Sequence, residues 1–122
     1  KLPFENNIFD NVFCSFVWRN VSDTNKALSE VYRVLKPGGK FVLLDMTRPK
    51  NSFLKILHKI GTFKVLHLIG ILTFNLKEYR FLYKSLDFYP QPENCLKKDN
   101  FIDLQIERMG LFEFVYLAVF TK

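Results

Sequence analysis

Two runs in the first half of the chain are apolar without alternation: "FDNVFCSFVW" (Phe9–Trp18) and "KFVLLDM" (Lys40–Met46). A strand apolar on both sides is covered on both faces, the habit of parallel sheets in α/β proteins. Between them Ala27, Leu28, Val31, Val34 and Leu35 recur at i, i+1, i+4, i+7 and i+8, which predicts an amphipathic helix. Ser22, Asp23 or Thr24 can cap its start. Pro37 cannot continue the helix, and Gly38-Gly39 can reverse the chain at positive φ, so "KPGG" predicts a tight turn. Strand, helix, turn and strand make one right-handed βαβ unit. Ligands of such sheets sit outside the carboxyl ends of the strands, which directs attention to Ser15–Asn20 and Asp45–Arg48.

The pattern then changes. "SFLKILHKIGTFKVLHLIGILTF" repeats Phe, Leu and Ile at helical spacing, with Lys55, His58, Lys59 and Thr62 on one face. Lys64 falls opposite Lys55, and this change of polar direction at Gly61 predicts two short helices with a break. "KEYRFLYKSLDFYP" predicts a helix ending at Pro90, and "PENCLKKDNF" a further short one. "IDLQIERM" alternates as a strand, and "FEFVYLAVFTK" is a long aromatic one, the two joined at Gly110 as an antiparallel pair. The helical stretch at about 49–89 reads as an insertion into the α/β unit.

At 122 residues and 48% hydrophobic content, the chain is sized for one modest domain. It begins with Lys, not Met, and runs directly into a strand, which suggests an excerpt or a processed piece. The net charge of +6 is local: Met46–Lys77 holds six basic residues and no acid, while basics and acids balance elsewhere. That excludes a general nucleic-acid coat and leaves a basic, apolar segment suited to a membrane surface or a lid. Its longest stretch without Lys, Arg, Asp or Glu, Val65–Leu76, is shorter than the roughly 20 residues a bilayer needs. Cys14 and Cys95 are far apart and read as free thiols of a reducing compartment. His58 and His67 read as amphipathic surface, with no metal site.

"LPFENNIFDNVFCSFVWRNVSD", "ALSEVYRVLKPGGKFVLLDMTRP" and "YRFLYKSLDFYP" together resemble the ubiquinone/menaquinone-biosynthesis C-methyltransferases, a class I S-adenosylmethionine-dependent family. The resemblance runs from Leu2 to about Pro90 and more loosely beyond. It implies a Rossmann-like α/β sheet of seven strands ending in an antiparallel hairpin, of which this chain supplies strands four to seven. The glycine-rich loop and the ribose acid of the donor site would lie in strands one to three, so the isolated piece is expected to be inactive and to bind the donor weakly. The implied reaction is C-methylation of a small hydrophobic quinol, a polyprenylated precursor. The implied location is the cytoplasm at the periphery of a membrane, or the mitochondrial matrix in a eukaryote.

By the same resemblance, Ser15 and Phe16 contact S-adenosylmethionine. Arg19 is catalytic: carbon methylation needs a phenolate, and a guanidinium can lower the ring hydroxyl's pKa or orient a water that removes its proton. Asn20, Tyr79, Arg80 and Tyr83 are the substrate candidates. Val17-Trp18 stand where the family usually has a glycine and a medium apolar residue, and Asp45 and Thr47 replace a common Glu and Ser. These departures leave open another acceptor within the same superfamily. A non-catalytic truncated module that binds membranes or partners is the rival of a different class. "NVFCSFVW" as an unpaired edge strand would invite association, a homodimer among the outcomes.

Overall fold

The computed structural model describes residues 1–97 and 100–122. Four strands, β1 (Phe9–Ser15), β2 (Leu35–Met46), β3 (Asp103–Met109) and β4 (Val115–Thr121), form one mixed sheet in the order β1-β2-β4-β3. β1 runs parallel to β2, and β4 is antiparallel to both β2 and β3. Helix α1 (Thr24–Val34) makes the crossover from β1 to β2. Asp23 caps it, its carboxylate accepting from the Lys26 N–H at 2.9 Å. The α/β class and the βαβ unit are therefore as the hydrophobic pattern predicts, a partial Rossmann-like sheet.

The "KPGG" segment is not a free turn. β2 runs through it, and the register slips from Phe9↔Leu35 to Asn11↔Lys40, so Lys36–Gly39 form a bulge inside the ladder. Gly38 adopts φ +78°, and a Cβ on Gly39 would stand 2.9 Å from the carbonyl oxygens of Asp10 and Lys36. Lys122 pairs with both glycines through the backbone, which holds the bulge flat against β4. Glycine is required here for one positive φ and one close approach.

Phe41, Leu43 and Asp45 of β2 are fully buried beside Tyr116, Ala118 and Phe120 of β4. Leu28 and Val31 of α1, with Leu96 and Phe101, close the core over them. Each such Leu, Val or Phe contributes about 1.5–3 kcal/mol on burial. Val42, Leu44 and Met46 on the opposite face are only half-buried, so coverage of both faces does not hold within this chain. β1 is the sheet edge, with Phe13 74% exposed.

Residues 52–72 form one unbroken helix, α2 (Ser52–Leu72), not two. Asn51 caps it by accepting from the N–H groups of Phe53 and Leu54. Gly61 sits inside it with no atom crowding the place of its missing Cβ. The change of polar direction has another cause: the first half of the inner face meets a buried arginine, the second half meets α3 (Leu76–Phe88). Gly70 allows that second contact, since a Cβ there would stand 3.1 Å from the Leu76 Cα. A short α4 (Pro92–Cys95) follows, and the rest of the helix expected over "PENCLKKDNF" falls partly outside the described residues. β4 starts three residues later than the aromatic run suggests, because Phe112 and Glu113 take left-handed φ of 84° and 55° in the turn after Gly110. Among the described residues, no helix is long and apolar enough to cross a membrane.

Candidate functional site

The carboxyl ends of β1 and β2 lie side by side, where the Phe16 N–H donates to the Leu44 carbonyl at 2.8 Å. Phe16 then turns the chain at φ 57°, and a single 3₁₀ turn, Trp18–Asn20, follows. Trp18 anchors this turn: it is buried and packs on Phe41 with ring centroids 5.5 Å apart. The anchor leaves Arg19 pointing along the sheet edge toward β2.

There Arg19 meets Asp45, the most deeply buried carboxylate of the sheet. Its guanidinium is ion-paired with Asp45 Oδ1, and its backbone N–H donates to Asp45 Oδ2 at 3.0 Å. The Met46 N–H also donates to Asp45, at 2.7 Å. Arg19 Nε donates to Ser85 Oγ of α3 at 3.2 Å, and Nη1 donates to the Phe16 carbonyl at 3.1 Å. The Arg19 side chain is 6% exposed and Asp45 not at all. A guanidinium held at three acceptors, on β2, on α3 and in the turn after β1, has little freedom, so its remaining N–H edge is preoriented.

That edge borders a cavity of about 260 Å³ lined by Arg19, Asn20, Phe81, Ser85, Phe88 and Tyr89. Its walls are aromatic, and among the described residues the one cation lining it is Arg19. Because Asp45 already neutralises Arg19, the guanidinium acts on a bound oxygen more by directed hydrogen bonding than by net charge. Groups around it are kept protonated. Burial, then the charge of Asp45, pushes the Tyr116 phenol and the Cys14 thiol up. Burial, then the hydrogen bond with Cys95, raises Tyr89, and the Cys95 thiol donates to the Tyr89 hydroxyl at 3.2 Å.

The other candidates separate from this centre. Ser15 is exposed at the end of β1, and its hydroxyl has no partner among the described residues. Phe16 beside it is 45% exposed, so the two present an open edge to a ligand. Tyr79, Arg80 and Tyr83 do not reach Arg19. They line a different cavity, of about 180 Å³, between α2 and α3. Periodicity alone could not tell which face of α3 turns to Arg19; it is the one bearing Phe81, Ser85 and Phe88.

His58 is not surface. It is buried, stacks on Phe114 at 5.1 Å, and lies 3.3 Å from Arg48 Nη1 through its Nδ1. Burial first, and the Arg48 charge second, hold its pKa below the ordinary histidine value. Arg48 is 2% exposed; the sequence placed it at the carboxyl end of a strand and in a basic run, but not in this buried network. It donates to Asp87 Oδ1 and Thr62 Oγ1, both at 2.9 Å, and to the Tyr83 carbonyl at 3.3 Å. It therefore ties α2 and α3 to the end of β2.

A family model described as the ubiE/COQ5 methyltransferase family matches residues 1–109. The chain belongs to this family. A relative from Rickettsia bellii, named ubiquinone/menaquinone biosynthesis C-methyltransferase UbiE, is 45% identical over 114 residues, covering 90% of this chain and 46% of that protein. A protein of the same name from Wigglesworthia glossinidia brevipalpis is 38% identical over 97 residues, 79% of this chain and 39% of its own length. Among solved structures, a SAM dependent methyltransferase from Aquifex aeolicus aligns with a TM-score of 0.48 and 16% identity, over 99% of this chain and 50% of its own. This member of the ubiE/COQ5 family spans about half the length of the curated relatives it matches.

Proposed function

We propose that this chain forms the C-terminal half of an S-adenosylmethionine-dependent C-methyltransferase whose acceptor is a polyprenylated quinol precursor of ubiquinone or menaquinone. The observation that carries the proposal is Arg19, fixed by Asp45 and Ser85 at the carboxyl edge of the sheet and bordering an aromatic-walled cavity. The relatives' names supply the reaction class.

On this reading Ser15 and Phe16 hold one side of the donor, which supplies an electrophilic methyl group on a charged sulfonium. The acceptor ring lies against Phe81 and Phe88, with Asn20 at its rim. Arg19 donates a hydrogen bond to the ring oxygen and orients a water that takes its proton to solvent, so the resulting phenolate makes the carbon beside it nucleophilic. The phenol and thiols nearby stay neutral and do not compete for the methyl group. Alignment of donor and acceptor is the protein's main contribution. The chain as it stands is expected to be inactive, because one side of the donor site is not in it.

The working location is cytoplasmic, with α2 against a membrane surface. Lys50 and Lys59 are paired with Glu93 and Asp87, so Lys55, Lys64 and Lys77 are the cations left to meet anionic lipid.

Arg19→Lys in the complete enzyme tests the proposal. It keeps the charge and loses the planar fork. Turnover should fall about 10²-fold with donor affinity within a factor of two, the size of effect seen when one transition-state donor is lost. Unchanged kcat with collapsed donor affinity would make Arg19 a donor ligand and remove the proposed role.

A further inference from the structure

Arg80 and Lys84 stand one turn apart on α3, at i and i+4, and both line the cavity of about 180 Å³ between α2 and α3. Like charges at that spacing oppose helix formation. Among the described residues neither is ion-paired, and no acid lines the cavity. Asp87, three residues beyond Lys84, is already held by Arg48 and Lys59. Both cations are exposed, so they stand at the mouth of the cavity.

The rest of the lining is aromatic or apolar. Phe63 of α2 stacks on His67 with ring centroids 5.5 Å apart, and meets the Tyr83 ring edge-on at 5.5 Å. The buried Arg48 lies 4.9 Å from the centre of the Tyr83 ring and fixes it. Leu66, Leu76 and Tyr79 complete the wall. His67 Nδ1 is buried without a partner among the described residues. Buried polar atoms are normally hydrogen-bonded, so packing of α2 on α3 does not account for it.

Size and charge together select a ligand. A cavity of about 150 Å³ takes one benzene ring, whereas drug-sized ligands need about 300–1,000 Å³. The cavity here therefore fits one ring with a small substituent. The cations at the mouth call for an anionic substituent, and the planar fork of Arg80 matches the two oxygens of a carboxylate. Inorganic phosphate would leave the aromatic wall in water. A neutral quinol would leave both cations unpaired.

We propose that this cavity binds a one-ring aromatic carboxylate, its ring among Phe63, His67 and Tyr83 and its carboxylate on Arg80 and Lys84. This ligand is a different compound from the methyl acceptor, and its site does not rest on the methyl-transfer reading.

Benzoate is the probe. Calorimetric titration of the full chain should show one saturable benzoate site. Benzamide, the neutral isostere, and inorganic phosphate should each bind at least tenfold more weakly. Arg80→Gln and Lys84→Gln, at exposed positions where folding is not at stake, should each weaken benzoate at least fivefold. The His67 ring resonances should shift on benzoate addition. Phe88→Ser, at the Arg19 cavity, should leave benzoate affinity unchanged. No saturable benzoate binding overturns the proposal. Benzamide binding as tightly as benzoate removes the role of the cations, and phosphate binding as tightly removes the role of the ring; either result overturns it. So does unchanged affinity in both Gln variants, or loss in Phe88→Ser, which places the ligand elsewhere.

Discussion

Replacing Arg48 with Met should loosen the α2–α3 hairpin while leaving the sheet intact. Arg48 is 2% exposed and reaches both helices: His58 and Thr62 on α2, Tyr83 and Asp87 on α3. Its guanidinium also lies 4.9 Å from the centre of the Tyr83 ring. A hydrogen bond to a charged group contributes about 1.5–3 kcal/mol, and a partly desolvated cation–π contact about 0.5–2 kcal/mol. Not all of this is lost in the variant. Asp87 keeps Lys59 at 3.1 Å, and the Thr62 hydroxyl still donates to the His58 carbonyl at 2.7 Å. Methionine fills much of the volume, and the cost of burying a guanidinium disappears. The net cost is about 3 kcal/mol, placed in local opening of the hairpin. At about 1.4 kcal/mol per tenfold, amides of α2 and α3 should exchange with solvent about 100-fold faster in native-state hydrogen exchange. Those of β2 and β4 should keep their protection, since Phe41, Leu43, Tyr116 and Phe120 do not depend on Arg48. Uniform loss across helices and sheet, or no change in α2, would refute the assignment of Arg48 as the tie.

Three further expectations follow from particular groups. His58 has a lowered pKa in the folded chain, so the open hairpin binds the extra proton. Stability should therefore decline as pH falls below about 6.5, and His58→Gln should flatten that slope in thermal midpoints. Glu93 is held at about 2, chiefly by its hydrogen bond with Arg108, so a separate loss should appear between about pH 4.5 and 2 and vanish in Glu93→Gln. At the other edge, Phe13 is 74% exposed on β1, which is paired on one side only. Phe13→Lys should lower the chain's concentration-dependent self-association in sedimentation, and an unchanged profile would rule out association through β1.

What the sequence determined by itself is everything with a short-range cause. The apolar runs marked β1 and β2, the stripe of Leu28, Val31 and Val34 marked α1, and Asp23 stood ready as its cap. Pro90 and Gly110 ended α3 and turned the last hairpin. The motifs around Arg19 and the "RVLKPGG" segment were enough to carry the family. Tertiary structure decided the rest, because the deciding partner is distant in the chain. "KPGG" became a bulge because β1 and Lys122 pair across it. α2 stayed whole through Gly61 because its two polar directions answer two different partners, Arg48 and α3. Asp45 could be read as a departure at a strand end, but not as the carboxylate that immobilises Arg19, 26 residues away. Helical periodicity places Tyr79, Arg80 and Tyr83 on one face and Phe81, Ser85 and Phe88 on another. Only the packing of α3 shows which of the two meets the guanidinium, since a helix repeats every 3.6 residues whatever it lies against.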